Sequence, residues 1–219
     1  MNNNTEYRRK GRDLTKGKIL NIFLIGLIFS SILSLVTGIG ASFNAVFSED
    51  LSTVIDPGNP PVAQLFNLIA IALAGYVTFG LTKMFIGVSK NEKPEFEPIL
   101  TAGVKEQPVN APLLSFISSL FIGLWTLLFI IPGIVKSYSY ALSSYLMVTD
   151  KTLGPVDAIT QSRMLMNGKK MQLFMLDLGY FGWYVLSLFT LGVLLIWVTA
   201  WHQTARTLFF VDAVQPNNR

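Results

Sequence analysis

Five stretches of this chain contain no charged residue: residues 19–48, 57–82, 107–135, 137–149 and 178–205. A helix needs about 20 mostly apolar residues to cross roughly 30 Å of hydrocarbon. Several of these runs exceed that length, which points to a chain that folds in lipid. Composition agrees, with 51% of 219 residues hydrophobic and 14% charged, against about 25% charged in soluble domains. The net charge of +4 flanks the apolar runs and forms no basic stripe on a soluble domain. The expected partner is therefore the lipid bilayer, with no nucleic acid. The absence of cysteine excludes disulfides, thiol nucleophiles and thiolate metal sites.

The pattern predicts an all-α fold: a polytopic transmembrane helical bundle of six spans, plus a short amphipathic cytoplasmic helix. A basic N-terminal tail covers 1–18 and contains Arg8, Arg9, Lys10, Arg12, Lys16 and Lys18. The apolar run after it is longer than the ~7–15 residues of a signal-peptide core, so an anchored first span is expected. The membrane domain covers 19–211, with spans at 19–40, 62–82, 112–131, 134–149, 173–189 and 193–211; residues 212–219 form a C-terminal tail. Read as one helix, 113–149 would extend about 55 Å at 1.5 Å per residue, too long for the core even when tilted. A hairpin turn is therefore placed at Pro132-Gly133, where Pro removes a donor and Gly permits reversal. A second turn is placed at Thr190-Leu191-Gly192. Between them, Gly154-Pro155 resembles a helix start and Asn167-Gly168 a helix stop, with Val156, Ile159, Arg163 and Met166 on a shared face. Lying in the interface and serving as a plain cytoplasmic connector remain equally open for this helix.

With six spans, every Lys and Arg but Lys136 falls on or near one side. The positive-inside rule then puts both termini in the cytoplasm of a bacterial plasma membrane. Inside the last hairpin, Asp177 and Arg206 stand nearly equidistant from Leu191 in sequence. They reach one depth and form a candidate polar pair, which would reduce the cost of burying either charge. A proton or substrate site is the sharper reading of that pair; a structural ion pair, or two snorkelling side chains, is the plainer and favoured one. His202 lacks the clustered carboxylates a metal would need, so neither metal nor cofactor is expected. The same counting sets Tyr184 near Trp197 and Tyr180 near Trp201, which with His202 makes a candidate ligand groove, interhelix packing being the commoner use. Gly26, Ser30, Ser34 and Gly38 form a ladder of small residues, the kind of surface on which helices approach closely in lipid, within the bundle or against another copy.

Residues 124–140, with Pro132-Gly133-Ile134 and Lys136 within them, resemble the signature of a bacterial integral membrane family known only as domain of unknown function nine-seven-five. The resemblance continues through Ala158-Ile159, Ser162, residues 165–170, Phe174, Gly182-Trp183, Leu191-Gly192 and Trp197, and covers roughly 90–210. It implies a six-helix membrane domain and no activity. Gly179 stands where the family has Ser, and Ala200-Trp201 where it often has Pro-Tyr, so a straighter last helix is expected. More distantly the chain is similar to the membrane region of some glycerophosphodiester phosphodiesterases, a hint of lipids that carries no catalytic residue over.

There is no phosphate loop, no H-E-x-x-H and no G-x-S-x-G elbow, and no catalytic residue is assigned. Three functions stay open. The first is a non-enzymatic membrane scaffold or accessory protein acting on itself, as a homo-oligomer, or on a membrane protein partner. The others are a carrier or binder of lipid or another apolar small molecule, and an envelope-stress or bacteriocin-immunity protein.

Overall fold

The computed structural model of the protein describes residues 3–28, 30–31, 34, 61–95, 97–190 and 192–215. Gly38 of the ladder and the loop expected before residue 61 lie outside them. All regular structure among the described residues is helical. The order is α1 (Asn4–Thr15), α2 (Ile19–Ile28, with helical residues as far as Ser34), α3 (Pro61–Ser89), α4 (Glu97–Glu106), α5 (Asn110–Leu128), α6 (Ile130–Tyr140), α7 (Ser143–Thr149), α8 (Pro155–Leu165), α9 (Lys170–Phe189) and α10 (Leu195–Val214).

Among the described residues two helices are long and apolar enough to cross a membrane, α3 over Ala72–Ser89 and α5 over Asn110–Leu127. In α5 only 11% of that window is buried: Ala111 and Leu114 join a core, and most of its other apolar side chains look outward. The α5–α6 hairpin ends in exposed Leu127, Phe129, Ile130 and Ile131, and α9 ends in exposed Leu188 and Phe189. Contiguous exposed apolar surface of this kind marks a membrane or protein contact.

The first predicted reversal falls three residues before Pro132. Phe129 is extended (φ −158, ψ 137) and serves both helices: its N–H donates to Trp125 O, and its carbonyl accepts from Gly133 N–H. Pro132 therefore sits in the first turn of α6, where a helix has no internal partner for its N–H groups and a missing donor costs nothing. Gly133 is needed for another reason: a Cβ there would lie 2.8 Å from Thr126 Cα, so its absence lets α6 fold back onto α5. The stretch expected as one span over 134–149 is two helices. Ser143 Oγ donates to the Tyr140 carbonyl at 2.7 Å, occupying it where the helix breaks. The second reversal lies where expected. Gly192 adopts φ +84 and its N–H returns to Ser187 O at 2.8 Å, a left-handed helix stop that favours glycine. α10 then runs unbroken, in line with the straight last helix expected.

Helix α8 starts with Pro155 in its first turn, capped by Gly154, and Gly168 has φ +74, as the start and stop signals imply. Its buried face differs from the expected one. Ala158, Ile159, Ser162 and Met166 are buried, whereas Val156 and Arg163 are exposed. Ser162 Oγ donates to Ser139 O at 2.7 Å, tying α8 to α6, so this helix packs within the bundle.

The N-terminal segment expected as a basic tail is helix α1, and it packs on α10. Tyr7 is 1% exposed; its ring meets Phe209 edge-on at 5.7 Å, and its hydroxyl donates to Asp212 at 2.8 Å. A Cβ on Gly11 would lie 3.0 Å from Trp201 O, so glycine permits this crossing. Arg8 donates to Met175 O at 3.2 Å and lies directly over Gly179. A side chain there would displace the guanidinium, which gives a reason for glycine at 179. The ladder is not buried among the described residues: Gly26 has no atom within 4 Å of a Cβ position, and Ser30 and Ser34 are exposed. Ile22 and Ile25 are the residues by which α2 meets Met84, Val88 and Ala200.

At the end of α4, Glu106 pairs with Lys83 of α3 and, at 3.3 Å, with Lys151. Burial raises the carboxyl's pKa, but the hydrogen bond and charge of Lys83, then those of Lys151, outweigh it and hold it below its ordinary 4.5. A depressed carboxylate contributes stability above its unfolded pKa and loses it as pH falls through the folded one. We therefore expect Glu106→Gln to lower stability by about 1 kcal/mol at neutral pH, with the gap closing as pH drops below 4.5. Thermal midpoints of both proteins in detergent across pH 7 to 3 measure this; a gap independent of pH would contradict it.

Candidate functional site

Asp177, Tyr180 and Tyr184 lie on one face of α9 at i, i+3 and i+7, and His202 and Arg206 lie at i, i+4 on α10. The turn at Gly192 brings the two stripes together at the register counted from the sequence. His202 sits at the centre. One ring nitrogen, Nε2, is 2.7 Å from Asp177 Oδ1, and the other, Nδ1, is 2.8 Å from the Tyr184 hydroxyl. Arg206 Nε approaches the same Asp177 oxygen at 3.7 Å, and Tyr138 of α6 faces this carboxylate as well. Tyr180 stacks on the imidazole with centroids 4.8 Å apart.

One proton assignment satisfies the His202 ring and the groups on either side of it. An ionised Asp177 accepts from His202 Nε2–H, and the unprotonated Nδ1 accepts from the Tyr184 O–H. Asp177 thus has two cationic or N–H partners in a place where an unpaired carboxylate would be costly. Such a chain could move a proton between Tyr184 and Asp177. Its members are held by one another, with Asp177 17% and His202 11% exposed.

The expected pair, Asp177 and Arg206, is therefore present, but as the outer part of a larger network. Of the expected groove, Tyr180 does lie beside Trp201, its hydroxyl donating to the Trp201 carbonyl at 3.4 Å. Tyr180 and Tyr184 both pack on His202, Trp201 meets Trp183 edge-on at 6.3 Å, and Trp197 is exposed. A cleft of about 320 Å³ opens on another face of α10, bounded by α2 and α3. Thr199, Gln203 and Thr207 line it from α10, Thr78 and Thr82 from α3, and Gly26 from α2. Ile22, Leu81, Phe85 and Phe210 supply apolar wall. The threonine hydroxyls of α3 and α10 bond back to carbonyls four residues earlier, leaving lone pairs free. The sequence analysis passed over this cleft, although polar residues at 199, 203 and 207 recur every fourth position within an apolar helix.

Residues 127–215 match a family described as a protein of unknown function, DUF975. The resemblance read from the sequence over 90–210 is thus found from Leu127 onward. That stretch contains the whole His202 network and α10's side of the cleft. No curated protein and no solved structure matches the chain.

Breaking the network should be measurable. Asp177→Ala strands His202 and Arg206 and is expected to cost about 2–3 kcal/mol; Tyr184→Phe should cost about 1 kcal/mol. Tyr184→Phe and Asp177→Asn, combined in a double-mutant cycle, should couple by at least about 0.5 kcal/mol through the imidazole. Strictly additive losses in thermal unfolding would show that the groups act separately.

Proposed function

We propose that this chain, whose residues 127–215 match DUF975, is a six-span protein of the bacterial cytoplasmic membrane that binds a lipid or another apolar small molecule without transforming it. The observation that carries the proposal is the cleft between α2, α3 and α10. It combines apolar wall with threonine oxygens and the Gln203 amide, which makes no hydrogen bond among the described residues. A mostly apolar concavity with a few convergent polar groups is how proteins receive small amphipathic molecules. The His202 network acts on this reading as a clasp that keeps α9 and α10 in register beside the cleft.

Outward-facing apolar residues on α5 and on the hairpin ends favour membrane insertion, and the distribution of Lys and Arg favours cytoplasmic termini. The cysteine-free sequence makes topology directly testable. A membrane-impermeant maleimide should label Asn59→Cys in intact cells and Lys93→Cys only after permeabilisation. The reverse pattern would invert the orientation, and equal labelling would defeat the span assignment.

A second reading, a scaffold that acts through helix contacts, is favoured by the ladder on α2, where Ser30 is exposed and Gly26 borders an open cleft. One experiment separates the two. The full chain is extracted in native-lipid nanodiscs and examined by native mass spectrometry beside Gly26→Leu, whose side chain starts from an open Cβ position on the cleft wall. Binding in the cleft predicts a retained small molecule in the wild type and at least a tenfold loss in the variant. A second protein chain, with no small molecule retained, would favour the scaffold.

A further inference from the structure

A second cavity, of about 360 Å³, lies between α6, α8 and the start of α9. Its wall is polar on every side except Met164: Lys136 and Ser139 come from α6, Thr160 and Arg163 from α8, Asn167 from the turn after it, and Lys170 from the first residue of α9. Three cations therefore face one space that no acidic side chain lines. Neither Lys136, Arg163 nor Lys170 forms an ion pair or hydrogen bond among the described residues. Elsewhere the chain pairs Lys10, Lys16, Lys83, Lys151 and Arg206 with carboxylates.

The walls are held by bonds independent of any ligand. Ser162 of α8 donates to Ser139 O at 2.7 Å, and Gly168, with φ +74, turns the chain so that Asn167 and Lys170 border the same space as Arg163. Lys136 Nζ rests 4.4 Å from the Trp125 ring centroid, a cation–π contact that limits where the ammonium can go. Like charges assembled on a fixed frame repel until an anion enters. A guanidinium offers paired donors, ammoniums offer point charge, and Ser139, Thr160 and Asn167 add neutral polar contacts. Tetrahedral oxyanions match this donor set.

We propose that this cavity is a phosphate-binding site that takes the phosphate group of an anionic phospholipid or of a soluble phosphorylated molecule. Exposed Met164 beside it and exposed Met171, next to Lys170 in α9, give acyl chains an apolar exit, and a basic pocket among membrane helices suits a lipid headgroup. The site shares no lining residue with the cleft of α2, α3 and α10, so filling that cleft with Gly26→Leu leaves it intact.

The test uses the purified full chain in nanodiscs of phosphatidylcholine with or without one tenth phosphatidic acid, read by native mass spectrometry. In parallel, inorganic phosphate and pyrophosphate are titrated calorimetrically in phosphatidylcholine alone. Wild type should retain phosphatidic acid over phosphatidylcholine, or bind the soluble anions. Lys136→Gln/Arg163→Gln/Lys170→Gln should weaken whichever binding occurs at least tenfold. Arg163→Gln alone, at an exposed position, should weaken it several-fold with an unchanged melting curve, while Lys90→Gln, remote from the cavity, should change nothing. Retention of lipid without response to the soluble anions identifies a headgroup site; the converse identifies a soluble ligand. The proposal is overturned if neither arm shows binding, if the triple variant binds as wild type does, or if Lys90→Gln weakens binding as much as Arg163→Gln.

Discussion

Asp177 places a carboxyl group, 17% exposed, in an apolar helix beside the outward-facing Leu178 and Phe181. It is answered from α10 by His202 at 2.7 Å and Arg206 at 3.7 Å. Because a one-residue slip between α9 and α10 would leave a carboxylate and a guanidinium without partners, the register of the hairpin is set by polarity as much as by the length of its turn. Packing alone would set it loosely. Apolar side chains at a helix interface in lipid gain little by leaving lipid, so polar groups carry much of the specificity. α10 then supports the remainder: α1 lies across it at Gly11, α2 meets it at Ala200, and its Thr199–Gln203–Thr207 face closes the cleft with α3.

Much of this arrangement was legible in the sequence, unevenly and for physical reasons. The turn at Gly192 was readable because a left-handed residue there favours glycine. The turn before α6 was misplaced by three residues because Pro132 was read as a helix breaker. Proline in a first turn breaks nothing, and only the backbone at Phe129 distinguishes the two situations. Counting from Leu191 matched Asp177 to Arg206. It did not reveal that His202 joins Asp177 to Tyr184, since sequence spacing gives depth and not the direction in which an imidazole points. Helix α1 was hidden by its charge. Six basic residues in 18 positions look like a solvated tail, yet Tyr7, Gly11 and Thr15, at i, i+4 and i+8, form a buried stripe.

Lys136 illustrates how a misfit in one description becomes information in another. In the count of loop charges it was the lone cation on the outer side. In the structure it shares a cavity with Arg163 and Lys170, from the segment expected on the inner side. Helix α6 is 11 residues long, about 16 Å at 1.5 Å per residue, roughly half a bilayer core. It meets α8 where Ser162 bonds Ser139, and that contact sets Lys136 beside Arg163.

The placement of α1 has a consequence for the order in which the protein is made. Tyr7 bonds Asp212 across 205 positions of sequence, and Asn4 bonds Gln172 across 168. A helix made early in this stretch of chain is therefore completed by one made much later. Until α10 has been synthesised, Tyr7 lacks Phe209 and Asp212, and Gly11 lacks the Trp201 carbonyl it packs against. Closing so long a loop is slow relative to forming the local α9–α10 hairpin. The contacts that seat α1 are thus the most non-local of the hydrogen bonds among the described residues.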